Sequence, residues 1–166
     1  MIIVRMTSGR GVIWILEGVA LLLVAGGLGR ARVALGGSRQ PDPWLTSQVV
    51  QPAEIAKELG QGEKRQIVCV GLDTLYRDAH IPGATYHGPA SKPQALEELK
   101  KWARDIPRGE QIVLYCGCCP MDQCPNIRPA FQALKEMGFT NVRILSIPED
   151  FGKDWTGKGF PIEKAK

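Results

Sequence analysis

The stretch Gln111-Ile112-Val113-Leu114-Tyr115-Cys116-Gly117-Cys118-Cys119-Pro120-Met121-Asp122-Gln123-Cys124-Pro125-Asn126 joins an unbroken apolar run to a loop holding four of the chain's five cysteines. The run before Cys116 reads as a strand buried on both faces, which a parallel sheet covered by helices contains. A cysteine at the end of such a strand, just before a helix, occupies the place where α/β proteins put reactive groups. Thiol chemistry or metal ligation is therefore the chemistry to test.

Outward from that stretch, strand and helix signals alternate. Ser47-Gln48-Val49-Val50 is a short strand candidate. Pro52-Ala53-Glu54-Ile55-Ala56-Lys57-Glu58-Leu59-Gly60 predicts a helix with proline in its first turn and glycine at its end. Ile67-Val68-Cys69-Val70 is a second buried strand, and Thr85-Tyr86-His87 a short third. A helix from Pro93 to Ile106 carries Leu96, Leu99 and Ala103 on one face. Beyond the cysteines come a helix from Ile127 to Met137, ended by Gly138, and a last strand from Val142 to Ile147. This alternation predicts an α/β fold with a parallel sheet covered on both sides.

The first forty-odd residues differ in character. Arg5 and Arg10 precede an apolar stretch over residues 11–28, and small residues follow, as in an export signal. The stretch approaches the ~20 residues of a membrane-spanning helix. Glu17 within it would cost roughly 2.5–3.5 kcal/mol on insertion scales, which weakens a permanent anchor. Residues 1–43 thus read as a signal or anchor segment with a linker, and 44–166 as the folded domain. Such a chain would be exported or membrane-anchored through 11–28; a translated upstream region would instead leave it cytoplasmic. The net charge of +4 sits mostly before residue 43, where Arg5, Arg10, Arg30, Arg32 and Arg39 outweigh Glu17 and Asp42. A nucleic-acid binder carries its positive charge on the folded domain, so no nucleic-acid partner is expected.

A family resemblance rests on several motifs in order. These are Tyr76 with His80-Ile81-Pro82-Gly83-Ala84, the strand ending in Tyr115-Cys116, Leu134 with Gly138-Phe139-Thr140-Asn141-Val142, and Trp155-Thr156-Gly157-Lys158-Gly159-Phe160-Pro161-Ile162. Together they resemble a rhodanese domain over roughly Ser47 to Ile162. The resemblance implies a three-layer fold with a central five-stranded parallel sheet. It also implies that Cys116 carries sulfur as a persulfide, passing it from a small donor such as thiosulfate to a thiophilic acceptor, with no cofactor. A thiolate is the nucleophile, so the site must lower a thiol pKa from ~8.5, which backbone N–H groups at a helix N-terminus do. The family also makes His80 a turn residue bonded to the backbone, and Trp155 reads as packing.

Departures from the family pattern are equally informative. An Asp-x-Arg pair is usual just after the second strand, where this chain has Cys69 and Gly71. Asn126 stands where an arginine is usual, and Cys116 sits about five residues early, so the loop is enlarged around three extra cysteines. Arg128 is a candidate for the missing positive charge. A phosphatase relative would need arginine six positions after its cysteine; the residues there are Asp122, Cys124, Pro125 and Ala130. That activity is excluded. Cys118, Cys119 and Cys124 read as resolving thiols for a Cys116 persulfide, as ligands with Cys116 for a soft metal, or as partners in a stabilising disulfide of a non-catalytic interaction domain. The adjacency of Cys118 and Cys119 counts against shared ligation. Asp122 and Asn126 are candidates to orient a thiol or to cap a helix, and Cys69 reads as structural.

Overall fold

A computed structural model describes residues 41–62 and 65–165. The leader expected at 11–28 lies outside the described residues, among which no helix is long and apolar enough to cross a membrane.

Five strands build the sheet: β1 (Val49–Val50), β2 (Gln66–Cys69), β3 (Thr85–Tyr86), β4 (Ile112–Tyr115) and β5 (Val142–Leu145). Their order is β1-β5-β4-β2-β3, and every pairing is parallel. β4 is the central strand, with Cys69 of β2 in register with Tyr115. The two continuous apolar runs read from the sequence, β2 and β4, are two of the three strands flanked by others on both edges.

Side chains leave these strands alternately to the two faces. Val68, Leu114 and Cys116 join one core layer with Leu99, Ala103, Phe131 and Leu134. Those last four come from α3 (Pro93–Ala103) and α4 (Ile127–Glu136). Ile67, Cys69, Val113 and Tyr115 join the opposite layer with Ile55 of α1 (Pro52–Gly60) and with Phe151 and Trp155. The result is the expected three-layer α/β arrangement. Each fully buried Leu, Ile or Phe in these layers contributes roughly 1.5–3 kcal/mol of transfer free energy.

Two short helices lack a sequence signal: α2 (Asp73–Asp78) and α5 (Phe151–Asp154). α2 buries none of its residues, so no apolar periodicity marks it. Other boundaries are tighter than expected. A 3₁₀ turn occupies Thr46–Gln48, where the reading began a strand, and α3 stops at Ala103 rather than Ile106.

His80 is buried at the end of this region. Its Nδ1–H donates to the Tyr76 carbonyl at 2.8 Å, and its ring stacks on Tyr76 with centroids 4.0 Å apart. That is the turn role expected of it. Trp155 is fully buried, and its indole N–H donates to the Pro161 carbonyl at 2.8 Å.

Candidate functional site

Cys116 follows β4 directly, and the loop from there to α4 folds its four sulfurs together. The Sγ atoms of Cys116, Cys118, Cys119 and Cys124 all lie within 4.8 Å of one another. Cys116 and Cys118 are closest, at 3.0 Å, with Cys118 and Cys119 at 3.5 Å. All five cysteines are free thiols. Cys116 and Cys124 are buried, while Cys118 and Cys119 are partly exposed and form the open side of the cluster.

The backbone makes this convergence possible at a few points. Gly117 adopts φ +70°, a conformation that other residues rarely take, so the chain reverses between Cys116 and Cys118. A side chain there would also strike Phe151, whose Cβ would be 2.8 Å from the added carbon. The Gly117 carbonyl in turn accepts the Phe151 N–H at 3.0 Å, tying the loop to α5. A 3₁₀ turn at Met121–Gln123 then brings Cys124 back beneath the other sulfurs.

Gly71 supplies space on the opposite side. A methyl group placed on it would lie 2.6 Å from the Cys116 carbonyl oxygen and 3.3 Å from Cys116 Sγ. The position where related domains carry arginine is therefore filled here by the backbone of the cysteine itself.

Donors surround the sulfurs. The backbone N–H of Cys118 bonds Cys116 Sγ, and those of Asn126 and Ile127 bond Cys124 Sγ. Asn126, buried just ahead of α4, directs its Nδ2 to Cys116 Sγ at 3.5 Å and Cys118 Sγ at 3.6 Å. Its amide orientation is fixed because Oδ1 accepts the Ser91 N–H at 3.0 Å. Asn126 was expected to orient a thiol or to cap a helix; its side chain is aimed at the thiols and bonds no N–H of α4.

The electrostatics make Cys118 the centre of the group. Its thiol is pulled well below the ordinary range, first by the hydrogen bond from Cys116, then by that from Cys124. Cys116 is correspondingly pushed up, first by its bond to Cys118, then by that to Cys124 and by burial. The first negative charge of the cluster thus rests on Cys118, with Cys116 donating its proton toward it. The two sulfurs titrate as a unit, and a proton needs to travel only along their shared S–H···S contact to exchange their roles.

Arg128 lies elsewhere than a charge for the thiols would. Its guanidinium donates to the carbonyls of Cys124 at 3.2 Å, Met121 at 3.4 Å and Asp122 at 3.4 Å, and pairs with Asp42 at 2.5 Å. It clasps the loop's backbone, and its charge is met by Asp42. Asp122 is exposed at the far side of that clasp. Cys69 sits in the opposite core layer, its thiol pushed up to about 11, chiefly by burial. Sequence reasoning did not single out Ser91 or Gly117; the positive φ of Gly117 and the through-space bond of Ser91 have no local signature.

Among known sequence families, the model described as "Rhodanese-like domain" matches residues 51–146, more than half of the chain. The chain belongs to the rhodanese-like domain family. No curated protein matches it. Solved structures share its fold at low identity. The Alr3790 protein from Anabaena sp. is 22% identical with a TM-score of 0.55, over 70% of this chain and 82% of that one. The BH2092 protein from Bacillus halodurans is 20% identical with a TM-score of 0.56, over 71% and 77%. Thiosulfate sulfurtransferase from Pseudomonas aeruginosa is 19% identical with a TM-score of 0.51, over 71% of this chain but only 19% of that longer one. The rhodanese-like fold thus places Cys116 after the central strand, inside a loop of its own kind.

Proposed function

We propose that this rhodanese-like domain is a sulfurtransferase in which Cys116 takes sulfane sulfur from a small anionic donor such as thiosulfate, and Cys118 resolves the resulting persulfide. The observation that carries the reading is the 3.0 Å contact between the two sulfurs at the end of the central strand. Family membership supports the reaction class, and the Cys118 sulfur beside Cys116 is placed to take its proton.

The steps balance without a cofactor. Cys116 passes its proton to Cys118, and the Cys116 thiolate attacks the outer sulfur of thiosulfate. The donor's sulfur–sulfur bond breaks, and its electron pair leaves with sulfite. Cys116 now holds a persulfide anion. Cys118 then attacks the Cys116 Sγ, the persulfide bond breaks, and the Cys118 proton leaves with the outer sulfur as hydrosulfide. A disulfide between Cys116 and Cys118 remains, and an external dithiol reduces it for the next cycle. An external thiol attacking the outer sulfur instead would carry it away as a new persulfide and leave Cys116 reduced.

Intact mass of the reduced full-length protein after thiosulfate treatment tests this. Wild type should gain one sulfur or release sulfide while losing two hydrogens. Cys118→Ser should accumulate the persulfide, Cys116→Ser should take up nothing, and Cys69→Ser should behave as wild type. Absence of both sulfur uptake and sulfide from the wild type overturns the reading.

A further inference from the structure

We propose that Cys116, Cys118, Cys119 and Cys124 together form a closed tetrathiolate site for one zinc-class divalent cation. This goes beyond sulfur transfer and does not rest on it. A cation in the site competes with a persulfide on Cys116, because ligation withdraws electron density from the sulfur that would attack a donor.

Geometry is the first support. A tetrahedral Zn²⁺ with Zn–S bonds near 2.3 Å needs its sulfurs about 3.8 Å apart. The four Sγ atoms here lie within 4.8 Å of one another, with contacts of 3.0 and 3.5 Å at the near end. The required spacing falls inside that range. Structural zinc sites usually draw their ligands from two separated pairs, which counts against adjacent Cys118 and Cys119 sharing an ion; here their sulfurs lie 3.5 Å apart in one group with the other two.

The surroundings are the second support. Four thiolates around a divalent ion leave two negative charges to be stabilised. Backbone N–H groups of Cys118, Asn126 and Ile127 bond two of the sulfurs, and the Asn126 amide bonds Cys116 and Cys118. The amide is itself held by Ser91, an arrangement that fixes ligands from outside the coordination sphere. Cys124 and Asn126 lie at the N-terminus of the ten-residue α4, whose dipole favours negative charge. Soft sulfur ligands with no carboxylate or water position select a zinc-class ion over Mg²⁺ or Ca²⁺, and four protein ligands make the site structural.

The test is an anaerobic titration of the reduced full-length protein with Co²⁺, followed by displacement with Zn²⁺. One ion per chain should bind, with sulfur-to-cobalt charge-transfer bands and the visible bands of a tetrahedral centre. Zn²⁺ should bleach both, and elemental analysis should find one zinc per chain afterwards. Cys124→Ser and Cys119→Ser should lose the tetrathiolate spectrum, and Asn126→Ala should weaken binding about 10-fold. Cys69→Ser should match wild type and serves as the check on folding. Absence of the cobalt bands in folded wild type, or their survival unchanged in both ligand variants, overturns the site. Sulfur uptake is scored separately on the metal-free protein, so failure of either reading leaves the other standing.

Discussion

β2 and β4 are neighbouring parallel strands, each with a cysteine near its C-terminal end, yet only one of the two thiols joins a group of sulfurs. Cys69 points into the layer built by Ile55, Ile81 and Leu145, where burial dominates and its thiol is pushed up to about 11. Cys116 points to the other face and is also buried, but it meets three more sulfurs, a backbone N–H and an asparagine amide. Burial alone silences a thiol. Burial together with neighbouring donors lets one member of a group of thiols, Cys118, hold negative charge while its neighbours keep their protons.

Alkylation separates the two thiols most strongly. At pH 8, a thiol titrating near 11 is ionised to only about one part in a thousand, so Cys69 should resist iodoacetamide while the cluster reacts. Peptide mapping of the folded, metal-free protein should find the label on the loop peptide and none on the β2 peptide. The sign of the pH effect follows. Because the folded Cys69 value lies above its ordinary 9.0, its contribution to stability is complete below pH 9 and is lost as pH rises through about 11. Urea midpoints across that window should fall more steeply for wild type than for Cys69→Ala. Equal slopes would mean that Cys69 is not buried as described.

Gly71→Ala attacks the comparison from the side of the loop. Its new methyl group would sit 2.6 Å from the Cys116 carbonyl, so the backbone beneath the cluster must shift. The expected cost is about 1–3 kcal/mol, read as a lower urea midpoint with an unchanged slope. Loop labelling should change as well, while Cys69 should stay silent. Asn126→Ala should do less to the fold, about 1–2 kcal/mol, since it strands the Ser91 N–H and removes one donor to the sulfurs. A thermal shift below that of Gly71→Ala is the expected ranking.

Much of the scaffold was legible in the sequence because parallel strands buried on both sides must be apolar throughout, as Ile67–Cys69 and Ile112–Tyr115 are. The proline at the start of α1 and the amphipathic face of α3 marked those helices similarly. α2 went unread because it buries no residue and so repeats no apolar period. Position also singled out Cys116 and the three thiols beside it. Their convergence was not legible, since spacing along a chain does not say which way adjacent side chains turn. That depended on the positive φ of Gly117 and the 3₁₀ turn at Met121–Gln123. The arginine at 128 was read by its charge, but its surroundings of carbonyls and Asp42 give it a mechanical task instead.

The contact between Gly71 and the Cys116 carbonyl constrains how this protein and its relatives could be interconverted. Installing the family's usual arginine at position 71 would drive a long side chain into backbone that the cysteine loop already occupies. Shortening the loop first would dismantle the sulfur cluster before any arginine replaced it. Residue 71 and the cysteine loop therefore constrain each other. An engineer placing an arginine at position 71 of this scaffold would have to exchange the loop that carries Cys116 at the same time, because the two occupy the same space.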